Sequence, residues 1–217
     1  PALRPFYKYE PSIEGFAEAI KDRVKTKIDR ATLVKTLQAQ YQDLSAAPLV
    51  DTHIQALANP NAFTIITAHQ PSLFTGPLYY IYKIISVIHL CRKLKTAYPD
   101  YQFIPTFVTG GEDHDFEEIS SFRFQDKRIN WHRDSAGAVG EIPLDDLQEV
   151  LDVFEQYIGT SVNSNTIRKW ITESYRASHN LSEATFRLVN ELFGDKGLII
   201  LEPNKPALKK LFIPILK

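Results

Sequence analysis

One stretch of the chain, residues 63–78, reads as a strand, a polar turn and the start of a helix. Residues 63–67 are aromatic or β-branched and form a short apolar run, which is typical of a parallel strand covered on both faces. His69 and Gln70 follow at once. Because ligands of open α/β folds bind just beyond the carboxyl ends of the strands, this turn is a candidate site.

The helix start adds a second feature. Thr75 or Gly76 suits the N-cap and Pro77 suits the first helical position, so the sequence predicts a helix from Pro77 to about Tyr98. Free N–H groups at such a terminus favour an anion. The helix is apolar nearly all round in its first half, which predicts burial. Lys83 interrupts this pattern, and its ammonium either reaches solvent or points back to the anion site.

A second predicted strand covers residues 101–108. Strand, helix and strand in this order form a right-handed unit with parallel strands. The ends of the two strands therefore lie side by side, and residues 110–115 are expected next to His69 and Gln70. Two loops that are distant in sequence then meet in one crevice.

The second loop combines flexibility with charge. Gly110 and Gly111 allow close approach of the backbone to a ligand. Four ionisable residues follow them: Glu112, Asp113, His114 and Asp115. A carboxylate beside an imidazole is an acid–base or a metal-binding pair. The spacing matches no strong zinc pattern, so direct substrate binding is favoured over a metal. Two other interpretations are a solvated loop and acids that stabilise the start of a helix.

The remaining patterns predict an α/β fold with a parallel sheet, flanking helices and a helical N-terminal segment. Residues 1–60 are expected to form an arm and helices packed on a core of residues 61–217. Within that core the patterns predict a β-hairpin around Gln125 and Asp126, three further helices, and a third buried strand that ends at Glu202.

Composition excludes several classes of protein. The net charge of the 217 residues is −1, which gives no electrostatic case for nucleic acid or an anionic membrane. A single cysteine, Cys91, excludes an intrachain disulfide and a multi-cysteine metal site. No signal peptide or spanning apolar run is visible, so we expect a cytoplasmic protein. The absence of any methionine and the apolar last residues indicate a fragment of a longer chain.

Two long motifs resemble one known family. Residues 69–83, HQPSLFTGPLYYIYK, are similar to the first signature of the bacillithiol biosynthesis cysteine-adding enzymes, the BshC family. Pro105-Thr106-Phe107 with residues 111–119, GEDHDFEEI, is similar to the second. The resemblance covers the whole chain, which corresponds to the N-terminal portion of a family member.

This resemblance implies a ligase that adds L-cysteine to the amine of glucosaminyl-malate. It implies a Rossmann-like core similar to nucleotidyltransferase folds, whose His-x-Gly-His element corresponds to His69-Gln70 here, with only the first position matched. That similarity suggests ATP, with Mg²⁺, as the activator of the cysteine carboxylate. A coiled coil beyond this chain would support homodimers.

The resulting hypothesis assigns roles to ten residues. The expected catalytic residues are His69, Gln70, Asp113, His114 and Asp115. The expected substrate-binding residues are Thr75, Gly76, Lys83, Gly111 and Glu112. No metal ligand is assigned. The alternatives are a nucleotidyltransferase acting on another small molecule and a non-catalytic module that binds a sugar or thiol.

Overall fold

Two parallel strands of eight residues each form the centre of the structure. β1 (Ala62–His69) pairs with β2 (Gln102–Thr109) over eight residue pairs, the last of which joins His69 to Thr109. A short strand, β5 (Ile199–Leu201), pairs in parallel with the other side of β2, so the sheet order is β1-β2-β5. The computed structural model describes residues 4–44, 46–124 and 126–216. The predicted α/β class with a parallel sheet and flanking helices is confirmed.

The helices and the second sheet lie around this centre. The helices are α1 (Ile13–Arg23), α2 (Arg30–Gln40), α3 (Pro48–Ala56), α4 (Tyr79–Ala97), α5 (Phe116–Ile119), α6 (Gln148–Tyr157), α7 (Val162–Arg176), α8 (Leu181–Phe193), α9 (Pro206–Lys209) and α10 (Ile213–Leu216). Strands β3 (Ser121–Phe124) and β4 (Lys127–Asn130) form the predicted antiparallel hairpin. Asp126 lies in its turn, whereas Gln125 lies outside the described residues.

Side-chain caps fix the starts of several helices. Ser12 accepts the backbone N–H of Gly15 before α1, and Asn180 accepts that of Glu183 before α8. Each cap satisfies an N–H group that has no partner within the helix. Pro48 stands at the start of α3, where its missing N–H costs nothing.

The N-terminal helices share the core of the sheet. Leu37 of α2 and Ile54 of α3 belong to the same buried cluster as Phe107 of β2 and Ile200 of β5. The hydroxyl of Tyr41, just after α2, accepts the backbone N–H of Ile200 at 2.9 Å. These contacts hold the N-terminal helices directly against the strands.

A second cluster supports the hairpin. Trp131, Leu147, Phe154, Tyr175 and Leu181 are buried together among α6, α7, α8 and the end of β4. Because one face of the hairpin packs on this cluster, its opposite face is left to solvent.

The expectation that β1 is covered on both faces is wrong. β1 is an edge strand of the described sheet, and the Ile66 side chain is 56% exposed. An apolar, β-branched run is favourable in any strand, so the pattern does not distinguish an edge from a central position.

The predicted start of α4 is wrong by two residues. The helix begins at Tyr79 and Leu78 is its N-cap, so neither Thr75 nor Gly76 caps it and Pro77 precedes it. The cause is a 3-10 turn over Leu73–Thr75 in which the backbone takes positive φ angles, 50° at Phe74, 76° at Thr75 and 61° at the following Gly76.

Packing compensates the strain of this turn. Left-handed backbone costs a residue other than glycine roughly 1–2 kcal/mol. The Phe74 ring lies 4.6–5.0 Å from the rings of Phe122, Phe154 and Tyr175, measured between centroids. The Phe74 N–H also donates to the Tyr175 hydroxyl at 2.8 Å.

The prediction that the first half of α4 is buried nearly all round is also wrong. Tyr79 and Tyr82 of α4 are 48% and 61% exposed, and Leu78 just before the helix is 65% exposed. The opposite face is buried through Ile84, Val87 and Leu94. In the part of the chain that the structure describes, no helix is both long and apolar enough to cross a membrane.

Cys91 offers a test of this packing. Burial on α4 raises the pKa of its thiol to about 12. Since only the thiolate reacts, we expect a thiol reagent at about pH 8 to label Cys91 very slowly in the folded chain and quickly in urea. Labelling followed by mass spectrometry measures both rates. Equal rates in the two conditions would contradict the buried position.

Candidate functional site

The carboxyl ends of the three parallel strands bring three loops together. Gly110, which follows β2, donates its N–H to the His69 carbonyl at 2.9 Å. A Cβ on Gly110 would lie 3.2 Å from the backbone nitrogen of Gln70, so a side chain there would separate the loops. The predicted meeting of the two loops is confirmed, with Gly110 as the residue that touches His69 and Gln70.

His69 is held at both ring nitrogens. Nδ1 lies 2.8 Å from the Gln70 carbonyl oxygen, and Nε2 lies 2.8 Å from the Tyr79 hydroxyl. A carbonyl oxygen only accepts, so in the neutral ring Nδ1 carries the proton. Nε2 then presents a lone pair to the Tyr79 O–H. This arrangement makes Nε2 the basic atom at the end of β1.

Two aromatic rings pack against the imidazole. The His69 ring centroid lies 5.4 Å from that of Tyr79 and 5.1 Å from that of Tyr80. Tyr80 is 1% exposed, and burial raises the pKa of its hydroxyl well above the ordinary value. It therefore remains a neutral wall behind the imidazole, whereas Tyr79 faces solvent.

Gln70 and Lys83 also lie at the end of β1. Gln70 donates its side-chain N–H to the Glu118 carboxylate at 2.8 Å. Lys83 reaches back from α4 and donates to the Ala68 carbonyl at 2.8 Å. Of the two alternatives for Lys83, the structure has its ammonium directed to the strand end.

The carboxylates of the second loop form local hydrogen bonds. Asp113 accepts the backbone N–H groups of Asp115 and His114, at 3.0 and 2.6 Å, and these bonds hold the pKa of its carboxyl below the usual range. Asp115 is the N-cap of α5 and accepts the N–H of Glu118. Both remain exposed, as does His114.

Two further predicted residues contact other parts of the protein. Glu112 forms an ion pair with Lys209. Gly111 is buried, and a Cβ there would lie 2.6 Å from the Ser182 hydroxyl and 3.2 Å from a Glu202 carboxylate oxygen. Its small size therefore allows two protein segments to meet.

The ten predicted residues thus fall into three groups. His69, Gln70 and Lys83 share the end of β1, and the 111–115 loop adjoins it through Gly110. Thr75 and Gly76 belong to the strained turn before α4, whose Tyr79 contacts His69. Their roles in binding or catalysis stay predictions.

Sequence reasoning missed Tyr79 and Glu118 as partners in this site. Tyr79 stands ten residues after His69, and Glu118 stands forty-eight after Gln70. Both lie within the stretches that carry the family resemblance, residues 69–83 and 111–119, but no local pattern pairs them with His69 and Gln70.

A separate cavity of about 610 Å³ adjoins the end of β5, with Gln40, Glu141, Ser182, Glu202 and Asn204 among its lining residues. Glu202 is buried; its carboxylate accepts the Thr109 hydroxyl at 2.6 Å and the Asn204 N–H at 2.9 Å. His69 and Asp113 do not line this cavity. Their site therefore lies outside this cavity.

The described residues also limit the kind of metal site that this chain could hold. Among residues 4–44, 46–124 and 126–216, no three His, Cys, Asp or Glu side chains are grouped so as to hold a metal ion. A divalent ion at these strand ends would therefore need further oxygens from its ligand.

Comparison with known proteins identifies the family. The sequence model described as "Bacillithiol biosynthesis BshC, N-terminal Rossmann-like domain" matches residues 1–217. The chain belongs to the BshC family. Its residues 69–83 and 111–119, which carry the resemblance, are the segments that meet at the ends of β1 and β2.

Curated relatives agree with this assignment. Proteins named "Putative cysteine ligase BshC" are 44% identical in Flavobacterium psychrophilum and 41% identical in Flavobacterium johnsoniae, over 100% and 99% of this chain. A protein of the same name in Bacillus cytotoxicus is 30% identical over 99% of the chain. In each case the match covers 41% of the relative. The chain thus spans less than half the length of these relatives.

Gly140 provides a test of how the loops are positioned. Its N–H donates to the Gly111 carbonyl at 2.9 Å, and a Cβ on Gly140 would lie 2.8 Å from the Gly111 Cα. We expect Gly140→Ala to lower the free energy of unfolding by about 1–3 kcal/mol, because backbone atoms must shift. Urea denaturation measures the change.

Gly137→Ala is the reference for backbone strain without a clash. Gly137 has a φ of 89°, and no atom lies within 4 Å of the position that its Cβ would take, so its replacement should cost about 1–2 kcal/mol through left-handed backbone. Gly140 has no positive φ, so its loss of stability would report the close contact instead. A Gly140→Ala variant as stable as the wild type would contradict the close approach of Gly140 to Gly111.

Proposed function

We propose that this chain is the Rossmann-like part of a ligase that joins L-cysteine to the amine of glucosaminyl-malate and so completes bacillithiol. Membership of the BshC family along the whole chain supports the proposal, as do relatives named cysteine ligases. The observation that carries it is the His69 imidazole, whose Nε2 accepts the Tyr79 hydroxyl at the end of β1.

The reaction defines what the site must do. The amine nitrogen attacks the carboxyl carbon of cysteine; a C–N bond forms, a C–O bond to the leaving group breaks, and the nitrogen loses a proton. ATP, when bound, supplies that leaving group by activating the carboxylate. The residues of this chain bind and orient the two substrates and accept the proton.

His69 is the proposed proton acceptor. An amine must be neutral to attack, and a base whose pKa is close to the working pH is the most effective. The neutral His69 ring carries a lone pair on Nε2, and movement of the Tyr79 hydroxyl would expose that lone pair to the amine. Asp113 is a weaker base because its backbone hydrogen bonds favour the ionised form. Its proposed role is to bind the amine in its ammonium form.

Gln70 and Lys83 are proposed to meet developing or fixed negative charge. One N–H of the Gln70 amide donates to Glu118, which fixes the amide and leaves its second N–H for a ligand. Such a preoriented donor stabilises the oxyanion of the tetrahedral intermediate. Lys83 uses one of its three N–H groups on Ala68, and the other two are available to a carboxylate or phosphate.

The proposed reaction with ATP would also require a site for Mg²⁺. Mg²⁺ usually binds through one or two carboxylates and the phosphates of its nucleotide. Because Asp113 is assigned to the amine, Asp115, the other exposed aspartate of the same loop, fits that use.

The proposed function is tested with the full-length protein. We expect a condensed thiol, detected by mass spectrometry, from cysteine and glucosaminyl-malate only when ATP and Mg²⁺ are present. His69→Ala should lower turnover by about 100-fold or more, the usual contribution of a general base. Asp113→Asn should raise the KM for the amine substrate.

His89→Ala is the control, since His89 is exposed on α4. It should keep full turnover and the same circular dichroism spectrum as the wild type. Full activity of both His69→Ala and Asp113→Asn would overturn the site assignment. Absence of product under every condition would overturn the function.

Tyr79 is expected to position His69. Tyr79→Phe removes one of the two hydrogen bonds that hold the imidazole, so we expect kcat/KM to fall by about tenfold, as for one lost hydrogen bond of about 1 kcal/mol or somewhat more. Tyr82→Phe, three residues along the same exposed face, is the matched control and should have no effect. Equal rates for the two variants would show that Tyr79 does not support His69.

A further inference from the structure

Two arginines stand directly opposite each other in the hairpin. Arg123 of β3 pairs with Arg128 of β4, between the pairs Phe122–Ile129 and Phe124–Lys127. Side chains alternate along a strand, and Phe122 and Ile129 contribute to the second buried cluster. Arg123 and Arg128 therefore project from the opposite, exposed face of the same hairpin.

This placement is unfavourable by itself. Like charges directly opposite on neighbouring strands destabilise the pairing. Arg128 donates to the neutral Ser121 hydroxyl at 3.0 and 3.2 Å. In the parts of the chain that are described, neither arginine forms a salt bridge. An anion between the two guanidinium groups would convert the repulsion into two attractions.

The arginines share a recess with the start of α4. The recess has a volume of about 390 Å³ and is lined by Gly76, Pro77, Leu78, Phe122 and Ser121 together with the two arginines. No carboxylate is among these lining residues in the described structure. Leu78, the N-cap of α4, supplies no side-chain acceptor for the first N–H groups of this nineteen-residue helix. The positive end of the helix dipole adds to the charge of the arginines.

The recess adjoins the proposed catalytic site. Leu78 precedes Tyr79, which contacts His69, and β3 begins two residues after α5, whose Glu118 holds Gln70. A substrate that extends from His69 along the start of α4 would bring its end to Arg123 and Arg128. This location agrees with the sequence-based expectation of an anion near Gly76, and it adds two residues that the sequence motifs did not include.

We propose that Arg123 and Arg128 form an oxyanion subsite that binds a carboxylate or phosphate group of a substrate. The forked guanidinium group binds either oxyanion through two parallel hydrogen bonds, which makes arginine the better residue than lysine for this task. The inference rests on the proposed function only for the identity of the substrate. Within that function the sources are the malate carboxylates and the phosphates of ATP.

Direct binding separates the subsite from catalysis. Isothermal titration calorimetry of the full-length protein, with L-malate and separately with inorganic phosphate, identifies the anion that binds. We expect saturable binding of at least one, and Arg123→Gln or Arg128→Gln should weaken it about tenfold or more, as expected for a charge-assisted contact. Stronger binding of malate than of phosphate assigns the subsite to the amine substrate, and the reverse assigns it to the nucleotide.

Arg92→Gln is the matched control, because Arg92 is an exposed arginine farther along α4. It should bind the same anion as tightly as the wild type. Removing one of two opposed charges should leave the Tm unchanged or higher, whereas a merely structural role would lower it. Unchanged anion binding in both hairpin variants, or no binding of either anion to the wild type, would overturn the subsite. If the wild type binds the anion but has no ligase activity, and the hairpin variants lose that binding, the subsite is supported and only the proposed ligase function is contradicted.

Discussion

The parallel register of β1 and β2 is the constraint on which the rest of the structure depends. Eight consecutive residue pairs align the two strands, so that His69 and Thr109 end them at the same level. Both following loops must then turn at one edge of the sheet. A shift of the register would separate His69 and Gln70 from Gly110, and the hydrogen bond between the loops would be lost.

The strained turn before α4 is the second determinant of the site. Phe74 and Thr75 accept left-handed backbone because the Phe74 ring packs among the aromatic residues that support the hairpin. The same turn delays the start of α4 until Tyr79, which places the Tyr79 hydroxyl on His69. The second buried cluster thus positions a side chain at the end of the first sheet, although the two sheets share no strand.

Two kinds of polar residue occur around the strand ends, and their surroundings differ. Asp115 caps α5, Glu112 forms an ion pair with Lys209, and Gly111 fits closely against Ser182. His69, Gln70 and Lys83 are held by neighbours yet keep atoms that face solvent. This difference in remaining hydrogen-bonding capacity is why the proposed chemistry is centred on β1, whereas the acidic run of the second loop contributes mainly Asp113.

The sequence by itself determined the order of strand, helix and strand, the parallel sheet, the meeting of the two loops and the family, because hydrophobic periodicity and ungapped motifs are local properties. Only the tertiary structure decided that β1 is an edge strand, that α4 begins at Tyr79, and that Tyr79 and Glu118 hold His69 and Gln70. Each of these depends on contacts between residues far apart in sequence, whose packing outweighs the local preferences of glycine, proline and β-branched residues.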